Sequence, residues 1–397
     1  MSENYDVAVV GAGIIGLATA TAITAQSPGA SVVVLDKESS VGVHQTGHNS
    51  GVLHSGLYYK PGSLKARLCV EGRRRMEELC ERSGIPFERR GKIVVASSVD
   101  EIGAMEELHR RGDGNGLVGV RRLSAAEIRE IEPHAIGVAA LHVPEAGVVD
   151  YSLVARHLAS DLAGDVRLGA PVEHIRTSTG QVELGLATGA VTARVMVNCA
   201  GLHSDRVARL AGIDPPVQIV PFRGEYYTLT PEAASLVNAL IYPVPDPRFP
   251  FLGVHFTRRI DGTVEVGPNA VLALGREHYR GARPNFSDVR ETLKYPGFRR
   301  IVNRYWRTGA AETWRSAWRR TYAHTARMLV PELRAEHLVP GGAGIRAQAV
   351  TPDGELVDDF SIVETEMGVH ILNAPSPGAT ASLAIGEHIA RLVAAKL

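Results

Sequence analysis

The first forty residues admit few folds. Residues 5–10 form a buried-strand pattern, Gly11, Ala12, Gly13, Ile14, Ile15 and Gly16 follow directly, residues 14–26 make a helix of small side chains, and residues 31–36 a valine-rich second strand. A G-x-G-x-x-G turn between strand and helix, inside one βαβ unit, is the fingerprint of a dinucleotide site. The first glycine permits the tight turn, the second lets a pyrophosphate approach the backbone, and the third lets helix and strand pack closely. The helix N-terminus offers that pyrophosphate unpaired N–H groups and a partial positive charge. Asp36 ends the second strand, twenty residues after Gly16 and beside Lys37, where a carboxylate can accept hydrogen bonds from ribose hydroxyls.

The fingerprint alone does not separate NAD from FAD, but two later segments do. Val197-Asn198-Cys199-Ala200-Gly201 again sets an apolar strand before an alanine–glycine turn and a helix, and Pro377-Gly378-Ala379-Thr380 stands between a strand at 369–373 and a terminal helix at 379–395. Together they resemble two-dinucleotide-fold flavoproteins of the D-amino-acid oxidase and glycerol-3-phosphate dehydrogenase group. The resemblance implies FAD, with the last turn's N–H groups stabilising negative charge on the reduced ring.

The expected class is therefore α/β, with a discontinuous two-dinucleotide-type FAD-binding domain from residues 1–85, 145–215 and 335–397. A smaller α+β substrate domain, built on an antiparallel sheet, takes residues 86–144 and 216–334. A helix is predicted over 64–83, a strand over 87–97, a β-meander over 172–175, 182–186 and 190–197 with Val172 at the cofactor, a β-rich stretch over 218–267, and basic helices over 288–329.

Composition narrows the alternatives. The 397 residues carry 43 basic and 43 acidic side chains, so net charge gives no argument for nucleic acid. Three cysteines, Cys69, Cys80 and Cys199, show no metal or disulfide spacing, and a reducing cytoplasm fits them. No apolar run is long enough to span a bilayer, and Gly11 leaves no room ahead of it for a secretory leader.

The most distinctive run is residues 44–61, His-Gln-Thr-Gly-His-Asn-Ser-Gly-Val-Leu-His-Ser-Gly-Leu-Tyr-Tyr-Lys-Pro, too rich in glycine, histidine and serine for a helix and long for a structureless connection. It closely resembles the L-2-hydroxyglutarate dehydrogenase/oxidase family, as do residues 242–245, 248–256, 267–271, 344–348 and 373–377, so the likeness covers nearly the whole chain. The family implies FAD-dependent oxidation of (S)-2-hydroxyglutarate to 2-oxoglutarate, electrons passing to a quinone or to oxygen. Thr46, His48, Asn49, Ser50 and Gly51 would then order the cofactor loop, with His44 beside them. The base that takes the hydroxyl proton works best with a pKa near the operating pH, which favours histidine. His54, in the distinctive run, is the first choice, with His255 as alternative base or substrate ligand.

A dicarboxylate asks for cations or strong donors at both ends, and arginine's planar fork suits a carboxylate. Arg346 is the first candidate, followed by Arg223 and Lys60, with Tyr58 and Tyr59 as hydroxyl donors; for Arg223 a local ion pair with Glu225 is the competing reading. Trp306, Trp314 and Trp318 fall among arginines in residues 299–327, a composition that suits either a helix on the anionic inner face of the cell membrane or a cap on the substrate domain. Two rival functions share the fold: an amine-oxidising flavoenzyme of the glycine or D-amino-acid oxidase type, and a non-catalytic flavin sensor.

Overall fold

The strand Ser2–Val10 sits at the middle of the first sheet because the side chains of its second half, Val7 to Val10, are apolar and buried on both faces. It pairs in parallel with Val32–Leu35 on one side and with Gly189–Asn198 on the other. Beyond Val32–Leu35 lies Asp165–Arg167, also parallel. The far half of Gly189–Asn198 pairs in parallel with Gly368–Asn373, while its near half closes the antiparallel meander with Gln181–Leu186 and His174–Ser178. Ser361–Thr365 adds an antiparallel edge, giving eight strands among the described residues. The computed structural model describes residues 2–245, 253–279, 284–304 and 319–397.

Strand alternation divides the buried side chains between two cores. Val7, Val9, Val32 and Val34 face the helices Ile14–Gln26, Leu64–Ser83 and Ser382–Ala394, whereas Ala8, Val10, Val33 and Leu35 face the meander side chains Ile175, Val182 and Leu184. The first and last helices touch almost backbone to backbone, since a Cβ on Gly386 would stand 2.6 Å from the Ala18 carbonyl carbon. The small-residue character of both helices is what allows that approach. Leu64–Ser83 begins where Ser63 accepts a hydrogen bond from the Ala66 N–H and ends at Gly84 in the left-handed conformation.

The second sheet has nine strands among the described residues, in the order Val271–Leu272, Gln218–Leu229, Val264–Gly267, His255–Arg258, Leu240–Pro243, Lys92–Ala96, Ala139–Val143 and Arg121–Ser124, with Leu338–Val350 also paired on Gln218–Leu229. Its pairs are antiparallel except Leu240–Pro243 with Lys92–Ala96. The strand expected over 87–97 is broken. Phe87–Glu88 joins Val52–Leu53 and Gly147–Val149 in a small three-stranded sheet, and Lys92–Ala96 enters the large one with all five residues buried. The meander runs as expected over Gln181–Leu186 and Gly189–Asn198, with its first strand at His174–Ser178, two residues past Val172. In the basic segment the helices Phe286–Lys294 and Arg319–Ala326 are described; Trp306, Trp314 and Trp318 lie outside the described residues, as do Arg248 and Phe249.

Candidate active site

One cavity of about 740 Å³ runs between the two sheets, from the Gly11 turn to His54 and His255. At its dinucleotide end, Gly11, Gly13, Ile14 and Ile15 line the wall. Gly11 has φ +112° and a Cβ there would lie 2.5 Å from the Cys199 carbonyl oxygen, so the first and second glycine turns touch backbone to backbone. Gly16 lies behind the lining, where a Cβ would meet the Gly11 oxygen at 1.9 Å. The first turn of Ile14–Gln26 carries no acid, and Gly13 ahead of it caps it with no side chain. The Ile14 N–H donates to Thr46 Oγ1 at 3.0 Å, which ties the loop to the helix start.

Asp36 is held by two backbone donors, Ala12 N–H at 2.6 Å and Glu38 N–H at 2.9 Å, one to each oxygen. Each oxygen keeps a lone pair for a ribose. Lys37, Val172, Ala200 and Gly201 line the same end. Asn198 shapes the second turn by donating to the Ser204 carbonyl at 2.7 Å and accepting from Ala200 N–H at 3.1 Å. Across the mouth, Glu277 receives Lys37 at 2.7 Å and His203 at 2.6 Å, and the His203 hydrogen bond leads the causes that hold its carboxyl down at about 2. His44 stands 3.0 Å from Glu38 in the same cluster.

The loop 44–58 is ordered by its own polar side chains. Asn49 donates to the Gln45 and Thr46 carbonyls at 3.1 and 2.6 Å and accepts from Gly51 N–H at 2.8 Å. His48 stacks on Tyr279 with ring centroids 3.9 Å apart, and Ser50 joins Thr46, His48 and Asn49 in the lining. Gly51 itself stands behind the wall, its carbonyl accepting from Val149 N–H at 2.8 Å. From the other direction Pro377, Gly378, Ala379 and Thr380 close the cavity. The Thr380 hydroxyl lies 2.7 Å from Tyr151 Oη and 3.2 Å from the Val52 carbonyl, and accepts from the His54 N–H at 3.1 Å.

His54, Tyr58, Tyr59, His255 and Arg346 come together at the far end. Ser376 Oγ lies 3.4 Å from His54 Nε2. His255 stacks on Tyr242 at 4.0 Å and its Nδ1 meets the Gly253 carbonyl at 2.9 Å, so the neutral ring carries its proton on Nδ1 and leaves Nε2 as an acceptor. Burial pushes both imidazolium groups down to about 3, aided by the positive charges of Lys92 for both, Lys65 for His54 and Arg346 for His255. Both histidines are therefore neutral at pH 7 and able to accept a proton.

Two expected substrate ligands stand elsewhere. Lys60 is exposed and outside the lining. Arg223 is one residue along from Phe222, the cross-strand partner of Arg346, so strand alternation turns it to the opposite face, where Glu225 pairs with it at 3.4 Å. Other lining residues were not singled out from sequence: Lys65, Tyr151, Tyr226, Tyr242, Ser376 and Gln348. Tyr242, Ser376 and Gln348 belong to the very strings that carry the family likeness, which is the signal that could have found them. Lys65 is nearly buried and donates to the Asp358 carbonyl and carboxylate at 2.8 and 2.9 Å.

The FAD dependent oxidoreductase family matches residues 6–392. The same fold is seen in the dithionite-reduced, FAD-bound L-alpha-glycerophosphate oxidase of Mycoplasma pneumoniae, with TM-score 0.80, 22% identity, and coverage of 99% of this chain and 95% of that one. Glycine oxidase of Geobacillus kaustophilus follows at TM-score 0.74 and 20% identity over 100% and 96% of the two chains. Fold and cavity thus define an FAD-dependent oxidoreductase. L-2-hydroxyglutarate dehydrogenase of Indibacter alkaliphilus is 47% identical over 96% of this chain and 97% of its own. The Escherichia coli K12 protein of that name is 43% identical over 97% and 92%, and the mouse mitochondrial one 42% over 96% and 86%. At that likeness along nearly its whole length, the chain belongs to the L-2-hydroxyglutarate dehydrogenase family.

Proposed function

We propose that this protein oxidises (S)-2-hydroxyglutarate to 2-oxoglutarate, with His54 as the base. The observation that carries the reading is one cavity with a dinucleotide turn at one end and two neutral histidines beside Arg346 at the other. The glycine turns, the helix start free of acids and the prearranged Asp36 fit FAD, which when bound supplies the acceptor for the hydrogen and electron pair leaving C2. Arg346 supplies the planar cation for one carboxylate. His54 takes the hydroxyl proton, and the incoming dianion favours the imidazolium, so its basicity rises when substrate is in place. His255 offers Nε2 as an acceptor beside it. The electrons then pass to a quinone or to oxygen.

Anaerobic mixing with each substrate class tests this directly. (S)-2-hydroxyglutarate should bleach the flavin; bleaching by glycine or D-alanine instead would move the chain to the amine-oxidising group, and a spectrum indifferent to all of them would make it a sensor. Stopped-flow reoxidation with oxygen and with a soluble quinone assigns the acceptor.

The same proposal divides the chain into an FAD unit of residues 1–85, 145–215 and 335–397 and a substrate unit of residues 86–144 and 216–334. It also places the protein in the cytoplasm, with residues 299–327 against the inner face of the membrane. None of the described helices is long and apolar enough to cross a bilayer. Exposed Arg299, Arg300 and Arg304, with the exposed Leu293 whose carbonyl accepts from Arg299 Nε at 3.0 Å, support a surface contact. Binding to anionic vesicles that survives Arg299→Glu/Arg300→Glu/Arg304→Glu would refute that part.

A further inference from the structure

Lys92 opens the strand Lys92–Ala96 and is 2% exposed. Buried lysines ordinarily meet an acid, because an isolated ammonium in the interior is costly. Among the described residues no carboxylate stands within ion-pair distance of this one. Its Nζ lies instead 4.4 Å from the centre of the Tyr58 ring and 4.9 Å from that of Tyr242. Both rings line the substrate end of the cavity, so the ammonium sits directly behind that wall.

The groups around it leave its charge poorly compensated. The loop contributes Tyr58 and His54, the neighbouring strands Tyr242 and His255, and the helix Leu64–Ser83 contributes Cys69, whose thiol is itself pushed up to about 12 by burial. The strand on its other side places apolar Val143 opposite it. Burial pulls the Lys92 ammonium down to about 7, with Cys69 acting weakly in the other direction. Near neutral pH the side chain is therefore divided between its two protonation states, and any anion entering the cavity shifts the balance toward the cation. Its charge already reaches through the wall, since it helps to depress both His54 and His255.

We propose that Lys92 is a positioning residue for the second carboxylate of the substrate. Held behind the Tyr58–Tyr242 wall without an acid of its own, it takes up a proton as a dicarboxylate enters and supplies the second positive charge after Arg346. A monocarboxylate, satisfied by Arg346, draws much less from it. Lys92 thus contributes to selecting dicarboxylates over monocarboxylates and makes substrate binding proton-linked. The inference rests on the dicarboxylate reading of the cavity.

The test uses the FAD-loaded protein, glutarate as an unreactive dicarboxylate and butyrate as its monocarboxylate counterpart, with binding followed by flavin absorbance and by calorimetry in buffers of different ionisation enthalpy. Wild type should take up a fraction of a proton with glutarate between pH 7 and 8.5, a window above the range in which His54 and His255 titrate, and its affinity should fall as pH rises through that window. Lys92→Met, close in volume and apolar, should weaken glutarate roughly ten- to fiftyfold, from an interaction across about 7 Å at an effective dielectric of about 20, and butyrate by no more than about threefold. Proton uptake should vanish in the same variant. Lys92→Arg, charged at every pH used, should restore affinity without restoring the pH dependence. Wild-type binding of glutarate with no proton uptake overturns the proposal whatever the variants do, and so does a Lys92→Met protein with unchanged affinity and linkage. Failure of (S)-2-hydroxyglutarate to bleach the wild-type flavin would strike the substrate reading instead, which this binding measurement does not use.

Discussion

The hydroxyl of Thr380 joins the last flavin turn to the backbone of the proposed base, and removing it isolates that link. Tyr151 Oη stands 2.7 Å from Thr380 Oγ1 and 2.9 Å from the Val52 carbonyl, while the His54 N–H reaches Thr380 Oγ1 at 3.1 Å. In Thr380→Val the tyrosine hydroxyl turns to the Val52 carbonyl, already within reach, but the His54 N–H has no replacement. A buried donor left unpaired costs about 1–3 kcal/mol, and the remaining loss in the network adds about 1 kcal/mol. The total is about 2–4 kcal/mol. With an unfolding entropy of about 2.1 cal/mol/K per residue, a chain of this length loses roughly 1.2 °C per kcal/mol, so the melting temperature should fall by about 2–5 °C. The loop should also shift by a few tenths of an ångström, enough to slow flavin reduction by about ten- to a hundredfold. Thr380→Ser keeps the hydroxyl and should stay within a few fold of wild type. Differential scanning fluorimetry and anaerobic stopped-flow measure the two effects. A Thr380→Val protein with wild-type melting and a wild-type reduction rate would show that His54 is positioned by something else.

His54→Ala should keep FAD bound and slow reduction by about two to four orders of magnitude, whereas an unchanged rate would move the base role to His255. His54 and His255 are held neutral, with folded values of about 3 against an unfolded value near 6.5, so the unfolded chain binds more protons over that interval. Stability should therefore fall as pH drops below about 6.5, by about 1 kcal/mol per histidine between pH 6.5 and 5.5, and His54→Gln/His255→Gln should flatten that part of the stability curve. Arg346→Met should raise KM for (S)-2-hydroxyglutarate about tenfold or more, with Arg346→Lys recovering only part of it because the fork is lost; an unchanged KM would remove Arg346 from the substrate. Gly11→Ala drives a Cβ to 2.5 Å from the Cys199 oxygen at φ +112° and should yield protein purified without flavin, seen as loss of the yellow absorbance.

Elements whose pattern is local were legible in the sequence. The helices Ile14–Gln26 and Leu64–Ser83 begin and end where their periodicity does, and the glycine turns at Gly11, Ala200 and Pro377 converge on one cavity. The strand over 87–97 was misread because its break is decided at a distance: residues 147–149 capture Phe87 and Glu88, and both faces of Lys92–Ala96 are covered, which removes the alternation that marks a half-buried strand. The substrate end was half legible. His54, His255, Arg346, Tyr58 and Tyr59 stand out by residue type inside unusual strings, whereas Arg223 was lost to the register of two long strands, a property of pairing that spacing in one segment does not reveal. Lys92 gave no signal, since a lysine at the head of a valine-rich strand reads as an exposed end.

The arrangement of the first sheet has a consequence for the order in which this protein can come into being. The strand Ser2–Val10 is made well before its partners: one of its two edges waits for Gly189–Asn198, and that strand in turn waits for Gly368–Asn373. At a synthesis rate of about 5–20 residues per second the first edge stays open for roughly 10–40 s. The fingerprint that announces the cofactor is thus translated long before Gly368–Asn373 and the turn at residues 377–380, which close the pocket that retains it. A chain cut between Asp36 and Gly368 carries the whole dinucleotide motif without the strand and the turn that close the chamber.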